Sequence, residues 1–182
     1  MIFEYQSEIP IIAEIGLNHE GSEQRAISIM RLAAEAGAKI VKFQSYSTNR
    51  YTSNEDSERK IRLKKFSFSI ETLTKLKVEA NNLGLILLST ALTEDWVKPL
   101  ANICPAIKIA SGDITFTPTL KEAANTGKPL ILSTGASTVE EIDEAVNLIS
   151  NVVGSSKLAD KLILMHCISA YPAPVEQANI LA

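Results

Sequence analysis

The feature that most constrains this chain is a regular alternation of two patterns. Short apolar, β-branched runs recur at Ile11–Ile15, Lys39–Phe43, Leu85–Ser89, Ile107–Ala110, Leu130–Leu132 and Leu162–Met165. Between them lie helix-like stretches, the clearest being Ser22–Ala36, Ser69–Leu83 and Val139–Val152. In the last of these, Val139, Ile142, Val146 and Ile149 recur at helical spacing, which predicts one apolar face. Ser137-x-x-Glu140 ahead of it has the form of a capping box. Gly37, Gly84 and Gly127 each follow a helical stretch and precede a strand, the position of a left-handed C-cap. Strands alternating with helices predict βαβ units and a parallel sheet. Periodicity alone leaves two architectures open, a doubly wound sheet and a (β/α)₈ barrel.

One connection breaks the rhythm. Between the second and third strands lies an extra polar stretch, Ser45–Lys65, including SNEDSERKIRLKK. Its composition predicts a solvated surface loop with a basic end. A lid over the strand ends is the functional alternative, because long loops in compact domains often serve a site. No linker or low-complexity tract interrupts the 182 residues, a length suited to one domain.

Composition narrows the partners. With 46% hydrophobic and 21% charged residues the chain reads as globular. Its formal net charge of −3 supplies no global basic field, so neither nucleic acid nor an anionic membrane is predicted as a partner. Trp96 and the phenylalanines are too scattered for a base-stacking platform. The start, MIFEYQSEIPIIAEIG, lacks the basic and long apolar regions of a signal peptide, and runs such as Leu83–Leu88 are too short to span a bilayer. The two cysteines, Cys104 and Cys167, form no C-x-x-C, which fits reduced thiols and a cytoplasmic protein.

Parallel strands buried on both faces should be almost wholly apolar. Here nearly every strand carries polar or ionisable residues in or just after its C-terminal half. The first gives Glu14, then Asn18 and His19. The second gives Lys42 and Gln44, the third Ser89 and Thr90. The fourth gives Lys108, Ser111 and Asp113, the fifth Ser133 and Thr134. After the sixth come His166, Ser169 and Tyr171. Barrel enzymes build their active sites at this end, from several strands at once. The nucleotide signatures are missing: Gly16-x-x-x-x-Gly21 lacks the Lys-Ser/Thr of a P-loop, and no G-x-G-x-x-G follows the first strand.

Lys42 and Gln44 are two apart, so in a strand they share a face. Lysines inside apolar strands, as at Lys42 and Lys108, are costly unless the charge is paired or binds an anion. Either Glu14 and Asp113 neutralise them, or both grip a phosphate or carboxylate. The nearby hydroxyls of Thr90 and Ser111 favour the anion. Glu14 and Asp113 are also candidate acid/base or hydroxyl-binding groups. His19 is a lone loop histidine, more often structural than a ligand, and His166-Cys167 has no third partner at metal spacing.

These segments, in this order, resemble the N-acetylneuraminate (sialic acid) synthase family, which includes legionaminic and pseudaminic acid synthases and spore-coat polysaccharide relatives. The matching stretches are EIGLNHEG from Glu14 to Gly21, AGAKIVKFQ from Ala36 to Gln44 and LST from Leu88 to Thr90. KIASGD from Lys108, KPLILSTG from Lys128 and HCISAYPAP from His166 complete the set. The resemblance implies a (β/α)₈ barrel of which residues 1–182 supply about six βα units, followed in the family by closing strands and an antifreeze-like domain. It implies condensation of phosphoenolpyruvate with an N-acylated amino-sugar, in a homodimer, to give a nonulosonic acid and phosphate. By resemblance Lys42, Thr90, Lys108, Ser111 and Ser169 hold phosphoenolpyruvate, while Glu14, Gln44, Asp113 and Tyr171 face the sugar. Glu14, Lys42 and Asp113 are the implied catalytic groups. The family's divalent metal, usually Mn²⁺, is held by histidines on strands 7 and 8, so its ligands are not expected among these residues. Sialic acid synthases commonly carry Glu where this chain has Asp113, an aromatic at Leu92 and Asn at Ser169, which leaves the sugar open. A non-catalytic binding or assembly subunit, or another phosphoenolpyruvate aldol-type synthase, is the alternative reading.

Overall fold

A computed structural model describes residues 9–180. Six strands form one sheet, ordered β1-β2-β3-β4-β5-β6 as in the sequence. The chain divides into two compact units between Ile107 and Lys108, and each has its own logic.

The first unit contains β1 (Ile12–Gly16), α1 (Glu23–Glu35), β2 (Ile40–Ser45), α2 (Thr48–Tyr51) and α3 (Ser57–Phe66). α4 (Ile70–Asn82), β3 (Ile86–Ala91), a 3₁₀ turn at Glu94–Trp96 and α5 (Val97–Ile103) follow. β1 pairs with β2 and β2 with β3, both parallel. α1 and α4 begin where the sequence predicts: Ser22 and Ser69 accept the backbone N–H of Arg25 and Thr72, satisfying donors that a helix start leaves free. Gly37 and Gly84 then turn the chain with φ of 90° and 69°. Met30, Phe43, Leu73, Leu76 and Leu88 are fully buried between helices and sheet. Each contributes roughly 1.5–3 kcal/mol by leaving water.

The second unit opens as β4 (Ile107–Ile109) ends and continues with a 3₁₀ turn at Ser111–Asp113, α6 (Thr117–Asn125), β5 (Leu130–Ser133) and α7 (Val139–Val153). α8 (Leu158–Lys161) and β6 (Leu162–Met165) complete it, and β5 pairs with β6 in parallel. The capping box ahead of α7 uses Thr138 and Glu141, one residue later than predicted. Two adjacent hydroxyls precede two adjacent glutamates there, and the later pair has the geometry. Val139, predicted on the apolar face, is exposed at the first helical position, while Ala145 and Ile149 are buried.

Ser45–Lys65 is not the irregular loop that its polarity predicts. It folds into α2 and α3, with Asp56 accepting the Arg59 N–H as N-cap and Lys64 and Lys65 in the last turn of α3, against the negative dipole end. Tyr46 donates its hydroxyl hydrogen to the Leu63 carbonyl at 3.0 Å, and burial pushes the phenol up to about 12. The Ser47 N–H donates to Thr93 Oγ1 at 3.0 Å, its hydroxyl to the Asp95 carboxylate. Arg50 pairs with Glu94 at 3.1 Å and Asp95 at 3.7 Å. The segment is therefore tied to the end of β2 and to the turn after β3.

Candidate active site

In the first unit the parallel register sets Glu14 beside Lys42 and Gln44 beside Thr90. Because side chains alternate across a strand, Lys42 and Gln44 share one face. Lys42 Nζ lies 2.5 Å from Glu14 Oε2 and donates to Thr90 Oγ1 at 2.6 Å. The Lys42 side chain is 10% exposed and that of Glu14 47%, so the ion pair runs from the interior to the surface. The register shifts between Glu14 and Gly16. A side chain on Gly16 would approach Glu14 Oε1 and Gln44 Nε2, so its absence leaves both polar groups room.

His19 lies in the loop after β1 and is buried. Its ring stacks on Phe68, centroids 3.9 Å apart and planes inclined by 19°. Nδ1 accepts the Gly21 N–H at 3.1 Å, while Nε2 is buried with no hydrogen-bond partner among the described residues. Burial lowers its pKa to about 4, the Gly16 carbonyl pulling weakly the other way. His19 is thus a neutral core residue holding the loop.

In the second unit Lys108 Nζ donates to Ser133 Oγ at 2.6 Å and to the Ile109 carbonyl at 2.5 Å. Asp113 follows within one 3₁₀ turn; burial raises its pKa, and the Lys108 charge pulls it back down. Ser111 Oγ accepts the Gly135 N–H at 3.0 Å. A Cβ on Gly135 would stand 3.0 Å from both Ser111 Oγ and Ser169 Oγ, so the two serines converge on one glycine. A cleft of roughly 200 Å³ opens beside them, lined also by Gly112, Thr115, Ser137 and Glu141. A larger cleft of roughly 500 Å³ lies in the first unit between α4 and α5, but it contains none of the strand-end residues.

The structure therefore gathers Glu14, Lys42, Gln44 and Thr90 in one unit, and Lys108, Ser111, Asp113 and Ser169 in the other. Tyr171 is fully exposed and not gathered with them. Glu14 does neutralise Lys42, as one of the two sequence readings requires, and Thr90 binds the same ammonium. Ser133 stood among the strand-end hydroxyls without a role; the structure makes it the partner of Lys108. The buried Ser45–Ser89 hydroxyl pair, 2.8 Å apart, and the bond from the Gly135 N–H to Ser111 were not predicted from the sequence. His166 Nε2 is engaged by the Ala178 carbonyl at 2.8 Å. Among the described residues no three His, Cys, Asp or Glu side chains gather to hold a metal. No helix among them is long and apolar enough to cross a membrane.

These features define an α/β parallel-sheet protein whose strands carry buried lysines held by hydroxyls. The chain belongs to the NeuB family, whose model matches residues 29–182. An uncharacterised protein of Methanocaldococcus jannaschii is 43% identical over 94% of this chain and 50% of its own length. The N,N'-diacetyllegionaminic acid synthase of Legionella pneumophila is 36% identical over 94% of this chain and 52% of its own. The sialic acid synthetase of Leptospira borgpetersenii, solved with citrate, matches with a TM-score of 0.84 at 31% identity, over 94% of this chain and 59% of that one. The chain spans about half the length of the curated relatives it matches.

Proposed function

We propose that the protein condenses phosphoenolpyruvate with an N-acylated amino-sugar, giving a nonulosonic acid and phosphate, on a (β/α)₈ barrel to which this chain contributes six strands. The observation that carries this reading is a pair of buried lysines within strands, each hydrogen-bonded to a hydroxyl: Lys42 with Thr90 and Lys108 with Ser133. A buried ammonium with a hydroxyl beside it suits an anionic oxygen, and phosphoenolpyruvate carries both a carboxylate and a phosphate. Citrate on the Leptospira relative is likewise polyanionic.

In this reading Lys42, Thr90, Lys108, Ser111 and Ser169 hold phosphoenolpyruvate. Its methylene carbon forms a bond to the sugar aldehyde carbon, and the aldehyde oxygen takes a proton to become a hydroxyl. Water then adds to the cationic carbon that bears the phosphate, losing a proton, and the carbon–oxygen bond to phosphate breaks. Glu14 and Asp113, with Gln44 and Tyr171, face the sugar. Asp113, whose raised pKa eases proton uptake, is suited to pass a proton to the new hydroxyl. Glu14, once an anion takes its place on Lys42, is suited to accept one from water.

The test is phosphate release from phosphoenolpyruvate by the folded full-length protein, with Mn²⁺ and a panel of acylamino-sugars. Release that depends on one sugar supports the reading. No release with any of them sinks it.

A further inference from the structure

The convergence on Gly135 goes one step further, and it rests on the phosphoenolpyruvate reading above. Ser111 lies in the turn after β4, Gly135 in the loop between β5 and α7, and Ser169 after β6. At Gly135 a Cβ would stand 3.0 Å from each serine oxygen and 3.2 Å from Cys167 Cβ. Contacts this tight require the two serine side chains to give by a few tenths of an ångström, away from the position they hold beside the cleft. Gly135 also acts through its backbone. A serine hydroxyl has one hydrogen to give and two lone pairs to accept with. When the Gly135 N–H occupies a lone pair of Ser111, the hydroxyl hydrogen stays free to be donated elsewhere. In the 200 Å³ cleft that Ser111, Gly135 and Ser169 line, that direction is toward a bound ligand.

We propose that Gly135 is a positioning residue for the anion: its N–H orients the Ser111 hydroxyl as a donor, and its missing side chain lets Ser169 stand beside it. The ligand class is a phosphate or carboxylate oxygen, which accepts hydrogen bonds and donates none. Glu141, on the rim of the same cleft, turns one carboxylate oxygen to the Thr138 N–H in the α7 capping box.

The experiment is a double-mutant cycle on phosphoenolpyruvate affinity, measured by calorimetry on the full-length protein with Gly135→Ala, Ser111→Ala and the pair. Each single change should weaken binding about tenfold, the size expected when a hydrogen bond to a charged group is lost. The double variant should be little weaker than either, because both remove the same oriented hydroxyl. Wild-type affinity in Gly135→Ala, or losses that simply multiply, overturns the inference. If Gly135→Ala does not fold by circular dichroism, the Gly135 amide resonance decides. It should shift on adding phosphoenolpyruvate to the wild type and not to Ser111→Ala; an unmoved resonance in a wild type that binds overturns the inference. Lys108→Ala keeps the two readings apart. If it binds phosphoenolpyruvate as tightly as the wild type does, the functional reading fails at its root. If it weakens while Gly135→Ala does not, only the role of Gly135 fails.

Discussion

Lys42 and Lys108 are the same residue type in the same kind of place, within a buried strand, yet they are held differently. Lys42 is neutralised by Glu14, whose side chain is about half exposed, and leans on Thr90. Lys108 is held by a carbonyl and a serine hydroxyl, while Asp113 acts on it through the field between their charges. An ion pair with one exposed partner can open at modest cost, because the released carboxylate finds water. Lys42 and Glu14 therefore make the more readily opened contact, whereas Lys108 is held by its own strand and by β5.

The largest effect should come from removing the lysines. Lys42→Ala and Lys108→Ala should each weaken phosphoenolpyruvate binding by on the order of a hundredfold, as loss of a desolvated charge partner does. Calorimetry decides; equal affinity in either variant removes that lysine from the site. The two changes should differ in stability. Lys108→Met leaves Ser133 and the Ile109 carbonyl without their buried donor and should lower the urea midpoint the more of the two. In Lys42→Met, the Glu14 carboxylate loses its partner but keeps its water.

Acid should then separate the units. His19, with a folded pKa of about 4 against 6.5 unfolded, takes up its proton more readily in the unfolded chain. Its contribution is complete above pH 6.5 and is lost as pH falls toward 4, by up to about 3 kcal/mol. His19→Asn should flatten this part of the stability–pH curve. A wild-type slope in that variant would refute the assignment. Asp113 has the opposite sign: its raised pKa means the folded state binds the proton more tightly, so its contribution falls as pH rises through its titration. Asp113→Asn should remove that fall.

A smaller effect tests the clasp directly. Ser133→Ala takes a hydroxyl from Lys108 and should cost about 1–2 kcal/mol, whereas Thr90→Val should cost less because Glu14 still holds Lys42. Equal costs in denaturant titration would erase the distinction between the two lysines.

The same contrast shows what was legible in the sequence. Lys42, Thr90 and Glu14 could be read because a lysine in an apolar strand demands an explanation, and the strand period puts its neighbours on a known face. α1 and α4 were legible as helix-like stretches with closing glycines. α3 was not: only Leu63 is buried along it, so it has no apolar stripe, and its anchor is tertiary, the Tyr46 hydroxyl. Gly135 was not legible either. A glycine has no side chain to advertise its role, and the need for one arises only when strand ends distant in sequence meet around it.

The tethered segment after β2 has a consequence for timing. A flap that must swing makes turnover wait on its opening and close, so the rate tracks solvent viscosity. Here Tyr46, Ser47 and Arg50 fasten the segment to Leu63, Thr93, Asp95 and Glu94. A segment held at that many points acts as masonry rather than a door. If the reaction proposed above runs here, this side of the sheet adds no opening step, and turnover should not track solvent viscosity.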